Sequence, residues 1–253
     1  ETCDLEGHKL KQLNGRSYRK IFNASYEHQQ KILRRFSGIK IDNGWNSLVG
    51  IPDAEIAKIR TPFEIRDNLR ETLPLDDLLN IFEIEPYHFG VSGSCGIDFV
   101  PSQVHDIDIF FYGRDIADRI WKQVEKLSQA NPLYIDGKYY RTRFRYEDYW
   151  YCVHFVPLED ENELIGMDIK LQTEEPIRDI VLEDTSNLFF PGFIDLESGR
   201  KLLTFRPGHT GLFRKGFRLF IPDAEIAKII TSNNKVYESV LLTKYQWVEI
   251  DGK

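Results

Sequence analysis

The spacing of apolar and polar positions changes several times along this chain, and each change marks an element. Leu75, Leu78, Leu79 and Phe82 recur at helical spacing, so residues 75–82 read as a helix with one buried face. Another helical piece covers 62–73 behind Pro62, and Pro74 and Pro86 punctuate the pair. Ile116, Ile120, Val124 and Leu127 share one face of a longer amphipathic helix over 115–127. Strand patterns fall between and after these helices. Residues 88–92 form a short apolar run ending at Gly93-Ser94, and 107–112 is a continuous apolar run closed by Gly113. Residues 139–157, rich in Tyr, Phe, Val and Trp, read as two strands around Glu147-Asp148, and 166–171 as another. From Ile177 onward short apolar runs alternate with Pro191-Gly192, Ser198-Gly199, Pro207-Gly208 and Lys215-Gly216, which predicts a β-rich tail.

The opening stretch is less regular. Residues 9–22 surround an Asn14-Gly15 pair that suits a hairpin turn, and 26–36 suits a short helix ending near Gly38. Ile51, Ile56 and Ile59 follow near-helical spacing, with Pro52 and Asp53 at the start, so 51–60 reads as a helix. The segment IPDAEIAKI occupies 51–59 and returns at 221–229 with unlike flanks. It reads as a local duplication or as two similar surface helices, not as a repeated domain. Taken together the pattern is α+β. An N-terminal segment over 1–50 precedes a domain over 51–176, with a mixed sheet and helices, and a small β-rich C-terminal domain over 177–253, divided near Pro176.

Composition narrows this picture in three respects. A chain of 253 residues holds one large domain or two small ones and can bury a substantial core. The net charge of −7 does not mark the whole molecule as a nucleic-acid binder, and leaves any such role to a local basic face. Cys3, Cys95 and Cys152 form neither a CxxC zinc pattern nor a disulfide framework, which fits a reducing, cytoplasmic compartment. No apolar stretch reaches transmembrane length, so no membrane partner is expected. No signal peptide is visible in a sequence that begins at Glu1.

The candidate chemistry lies in three acids. Asp106 and Asp108 are two apart on a strand and so point the same way, while Ile107 and Ile109 point into the core. Asp168 sits between Met167 and Ile169 on another strand. An acid among buried apolar neighbours is costly unless compensated, and a divalent cation compensates a carboxylate cluster. Upstream, Gly93 would let a phosphate approach the backbone, with exposed amides and the Ser94 hydroxyl as donors. The plainer alternative makes Asp106 and Asp108 strand-end residues satisfied by backbone amides, and Asp168 an exposed sheet-face acid.

Arg141, Arg143 and Arg145 alternate along one expected strand, with Tyr139 on the same face. They form either a basic ridge for a triphosphate or nucleic-acid backbone, or a solvated outer face. Arg114 could reach a phosphate or simply start the helix, and Lys170, on the face of Asp168, could contact substrate or pair with an acid. Cys152 reads as core, and Cys95 has no evident base partner for a covalent role. His88, His105, His154 and His209 are scattered, and a metal site using them is the less favoured alternative.

Gly93-Ser94, followed by Asp106-Ile107-Asp108-Ile109 and then Met167-Asp168-Ile169, resembles the DNA polymerase β-like nucleotidyltransferase superfamily. Residues 49–69, Phe89-Gly90-Val91 and 188–216 are also similar to a group of uncharacterised archaeal predicted nucleotidyltransferases. The turn differs from the family's longer Gly-Ser-x-x-x-Gly form: Gly96 comes early and Asp98 takes the last position. The resemblance implies a nucleotidyltransferase-type mixed sheet with helices. It implies an enzyme that transfers a nucleoside monophosphate from an NTP such as ATP to a hydroxyl on RNA, protein or a small molecule, releasing pyrophosphate. Asp106, Asp108 and Asp168 would be catalytic and would ligate Mg²⁺ (or Mn²⁺), and Asp168 would help activate the attacking hydroxyl. Gly93 and Ser94 would contact the β and γ phosphates, with Arg114, Arg141, Arg143 and Lys170 as further nucleotide-binding candidates. Two ions in such a cluster stabilise both the attacking and the leaving oxygen. The alternatives are a catalytically inactive relative that binds RNA or protein, and a hydrolase of phosphate esters.

Overall fold

The computed structural model describes residues 10–13, 16–19, 39–42, 47–50, 59–96, 106–135, 138–161, 164, 167–183, 185–231, 233–242 and 247–251. The expected helix at 26–36, most of the one at 51–60, Cys3 and His105 lie outside these residues. The hairpin expected at Asn14-Gly15 is present as β1 (Leu10–Leu13) and β2 (Arg16–Arg19), which are antiparallel and pair Leu13 with Arg16. A second hairpin joins β3 (Ile39–Asp42) to β4 (Ser47–Gly50).

The helices start where the sequence places them. Helix α1 (Pro62–Leu69) begins at Thr61, whose hydroxyl accepts the Glu64 N–H at 3.2 Å while the Glu64 carboxylate accepts the Thr61 N–H at 2.9 Å. This reciprocal cap satisfies two orphan donors, and Pro62 fits the first turn because it has no N–H to leave unpaired. Helix α2 (Leu75–Phe82) buries Leu75, Leu78, Leu79 and Phe82, the face read from their spacing. Helix α3 (Arg114–Ala130) buries Ile116, Ala117, Ile120 and Val124.

These helices pack against a four-stranded sheet ordered β5 (Phe89–Ser92), β6 (Asp106–Tyr112), β10 (Tyr149–Val156) and β9 (Arg143–Tyr146). A short hairpin, β7 (Tyr134–Ile135) with β8 (Lys138–Tyr139), precedes β9. Strands β6 and β10 are parallel, whereas β5–β6 and β9–β10 are antiparallel. A parallel pair needs a crossover, and α3 lies within it. Ile107, Ile109 and Phe111 are fully buried in one core with α2, α3, Phe89, Phe144, Tyr151 and Phe155. Each such side chain contributes roughly 1.5–3 kcal/mol by leaving water. The alternating residues Asp106, Asp108, Phe110 and Tyr112 occupy the other, partly exposed face.

The β-rich tail forms a separate six-stranded sheet of β11 (Asp168–Ile180), β14 (Arg218–Ile230), β15 (Val236–Leu242), β13 (Lys201–Thr204) and β12 (Gly192–Asp195), with β16 (Glu249–Asp251) on β14. The division expected near Pro176 falls inside β11, so this sheet begins at Asp168. The second IPDAEIAKI copy is not a surface helix: it lies in β14, flanked by β11 on one side and β15 and β16 on the other. Its Pro-Asp pair coincides with a register shift opposite Pro176, where a strand tolerates a residue without an N–H.

The two sheets belong to different core clusters, but the chain ties them together. Leu188 and Phe189 join the first core, Phe155 bridges to Phe189, and Glu125 of α3 pairs with Arg214. Among the described residues no helix is long and apolar enough to cross a membrane.

Candidate active site

The pleat of β6 puts Asp106 and Asp108 on one face, as their spacing requires, and the neighbouring strands set what surrounds them. Cross-strand partners share a face, so Ser92 of β5, Asp108 of β6, Cys152 of β10 and Arg143 of β9 line up across the sheet. The side chain of Asp108 is 28% exposed and that of Asp106 37%, so both carboxylates are accessible yet partly desolvated.

Gly93 directly follows β5 and opens a 3₁₀ turn, Gly93–Gly96. Its φ is +71°, in the left-handed region, and a Cβ built there would lie 1.9 Å from Oδ2 of Asp108. Glycine is therefore required twice over, by its backbone conformation and by the carboxylate beside it. The backbone turn of Gly93-Ser94 is thus against the second acid of the Asp-Ile-Asp pair.

The other oxygen of Asp108 faces β10. His154 Nε2 lies 3.1 Å from Oδ1 of Asp108, and the imidazole stacks on Phe110 at 4.8 Å between centroids. Burial alone would lower the His154 pKa, but its hydrogen bonds to Asp108 and Cys152 prevail and raise it to about 9. The imidazole is accordingly cationic at neutral pH and donates to the carboxylate. Asp106 has its own cationic neighbour: Arg143 Nη2 lies 3.5 Å from Asp106 Oδ2. Arg143 also lies over the Tyr140 ring at 5.3 Å, and its Nε is buried with no hydrogen-bond partner among the described residues.

The remaining candidates are distributed differently from the sequence expectation. Asp168 heads β11, in the other sheet, where it opposes Ile230 and pairs with Lys170 at 3.4 Å. Its side chain is 48% exposed, so the apolar neighbours in sequence do not bury it. Lys170 is thereby placed with Asp168 and not with the Asp-Ile-Asp strand. Arg114 starts α3 beyond the far end of β6, where Nη1 donates to Ser186 Oγ at 2.9 Å and the guanidinium lies over Phe189. Arg141 precedes β9 in a turn and lies over Tyr139, so the expected alternation of three arginines on one strand is reduced to Arg143 and Arg145.

Among the described residues, the one group of three side chains suited to a metal ion is Asp108, Cys152 and His154, whose ligand atoms all lie within 4.8 Å of one another. Neither Asp106 nor Asp168 joins that group. The cysteine and histidine were not legible as a site from their separate positions in the sequence. The available signal was their i, i+2 spacing in a strand, which puts both on one face. Comparison of the chain with protein-family models, with curated proteins and with solved structures gave no match.

Proposed function

We propose that this chain is a divalent-cation-dependent nucleotidyltransferase whose chemistry centres on Asp106 and Asp108. The observation that carries this reading is the seat of Gly93 against the Asp108 carboxylate. It brings together a glycine turn that a phosphate can approach closely and a carboxylate that a cation can use. Two carboxylates suit Mg²⁺ or Mn²⁺, because such ions complete their shell with water and substrate phosphate oxygens. Such an ion, when bound, would supply Lewis-acid stabilisation of phosphoryl oxygen charge.

The protein's own part follows from the layout. Asp106 and Asp108 would hold the cation from one face of β6. Gly93 and the Ser94 backbone admit the phosphate tail, and Arg143 adds a guanidinium with an unpaired N–H on the same face. Asp168 is not assigned to this centre, since it belongs to the other sheet and already has Lys170 as partner. The acceptor is a hydroxyl of RNA, protein or a small molecule, and the net charge of −7 favours a short contact over a long nucleic-acid footprint.

The test is to incubate the protein with each α-labelled NTP, Mn²⁺ or Mg²⁺, and total cellular RNA and protein. Label should enter one fraction with release of pyrophosphate, and should not do so with Asp108→Asn. Absence of both label and pyrophosphate from the wild type would count against the activity. One observation favours a second reading, an inactive relative that binds RNA or protein: each carboxylate already has a cationic partner, Arg143 or His154. In that case Asp108→Asn would leave partner binding unchanged and no NTP would be consumed.

A further inference from the structure

We propose that Asp108, Cys152 and His154 form a site for a transition cation of the zinc class, built from sulfur, nitrogen and oxygen together. The sheet assembles these donors. Cys152 and His154 are two apart on β10 and face the same way, and Asp108 occupies the register position beside Cys152 on parallel β6. Their ligand atoms lie within 4.8 Å of one another, with Asp108 Oδ1 3.1 Å from His154 Nε2. A tetrahedral zinc ion, with bonds of about 2.0–2.3 Å, places its donors roughly 3.3–3.8 Å apart. Closing the set draws the donors in from within 4.8 Å, and the ion displaces the proton that His154 Nε2 shares with Asp108 and the Cys152 thiol proton, both released to solvent.

The donor chemistry selects the cation. Mg²⁺ takes oxygen ligands and dehydrates reluctantly, whereas thiolate with imidazole and carboxylate is a zinc-type set. The surroundings are pre-arranged. Phe110 stacks on the His154 ring, and Cys152 is buried and not in a disulfide. Asp108 offers its two oxygens in different directions, Oδ1 toward His154 and Oδ2 toward Gly93. The His154 side chain is 38% exposed, so three protein ligands leave a fourth place for water or a phosphate oxygen. An open fourth place is the pattern of reactive zinc sites, in contrast to closed structural ones. This site shares Asp108 with the nucleotidyl-transfer reading but is separable from it, because it also requires Cys152 and His154, which that reading does not use.

The experiment is a Co²⁺ titration of the full chain followed by absorption spectroscopy. The expected result is one Co²⁺ per chain with a near-ultraviolet thiolate-to-cobalt charge-transfer band, displaced by equimolar Zn²⁺ and not by excess Mg²⁺. Cys152→Ser should abolish the band and weaken binding by more than the roughly 10–100-fold that an outer-shell partner costs. Asp168→Asn should leave both unchanged. X-ray absorption of the zinc-loaded wild type should show one sulfur at about 2.3 Å beside nitrogen or oxygen neighbours, independently of how any variant folds. No stoichiometric binding, a band that survives Cys152→Ser, or an all-oxygen shell would overturn the proposal. Nucleotidyl transfer in Mg²⁺ without the cobalt band would retain the activity and reject this site, and the band without transfer would do the reverse.

Discussion

At the scale of single residues, Gly93 is the position where backbone geometry and chemistry coincide. Its left-handed φ and its contact with Asp108 leave no room for a side chain. Gly93→Ala should cost about 1–3 kcal/mol in backbone strain and displace the carboxylate it meets. Thermal unfolding should show a lower midpoint, and nucleotide binding with Mn²⁺ should weaken with it. A variant that loses stability but binds nucleotide normally would separate Gly93 from the site. The shared face of Asp106 and Asp108 and the turn at Gly93 were legible because each depends on local geometry: two-residue alternation, and a glycine at the end of a short apolar run. Cys152 and His154 were not, because their meaning comes from a register between strands, with His154 and Asp108 46 positions apart. No local pattern carries that register, although the shared face of Cys152 and His154 could have been read from their spacing.

Among the elements, α2 is the one whose burial follows most directly from spacing. Leu78 is wholly buried in the first core, so Leu78→Ala should destabilise by about 2–5 kcal/mol. In urea unfolding the midpoint should fall with the slope unchanged, and a shift of only a few tenths of a molar with a changed slope would indicate a loosened denatured or native state instead. The helices were readable because a capping box, a proline at the first turn and one apolar stripe are all local signals. The second IPDAEIAKI copy misled for a physical reason. Ile221, Ala224, Ile226, Ala227 and Ile229 are compatible with an amphipathic helix, and Pro-Asp resembles a helix start. In the fold, paired strands on both sides of β14 override that propensity and the proline settles at a bulge. The arginine ridge was overextended similarly: Arg141 belongs to the turn before β9.

Over the whole molecule, two mixed sheets with separate cores share one chain, and the candidate acids are divided between them. The α+β class and the β-rich tail could be anticipated from the succession of periods. Which sheet the strand at Asp168 joins could not, because that depends on pairing with residues 218–230, far along the chain. The consequence for the proposed chemistry is that Asp106 and Asp108 lie on β6, between Gly93 after β5 and β10, whereas Asp168 heads β11 in the other sheet beside Lys170. NTP turnover by the wild type, Asp108→Asn and Asp168→Asn, measured side by side in Mg²⁺ and Mn²⁺, tests this most directly. Asp108→Asn should lose on the order of 100–1,000-fold, as when a fixed electrostatic group is removed from an active site. Asp168→Asn, losing only an exposed ion pair, should stay within about twofold of the wild type. An equal collapse in both variants would put Asp168 at the reacting centre and contradict this assignment.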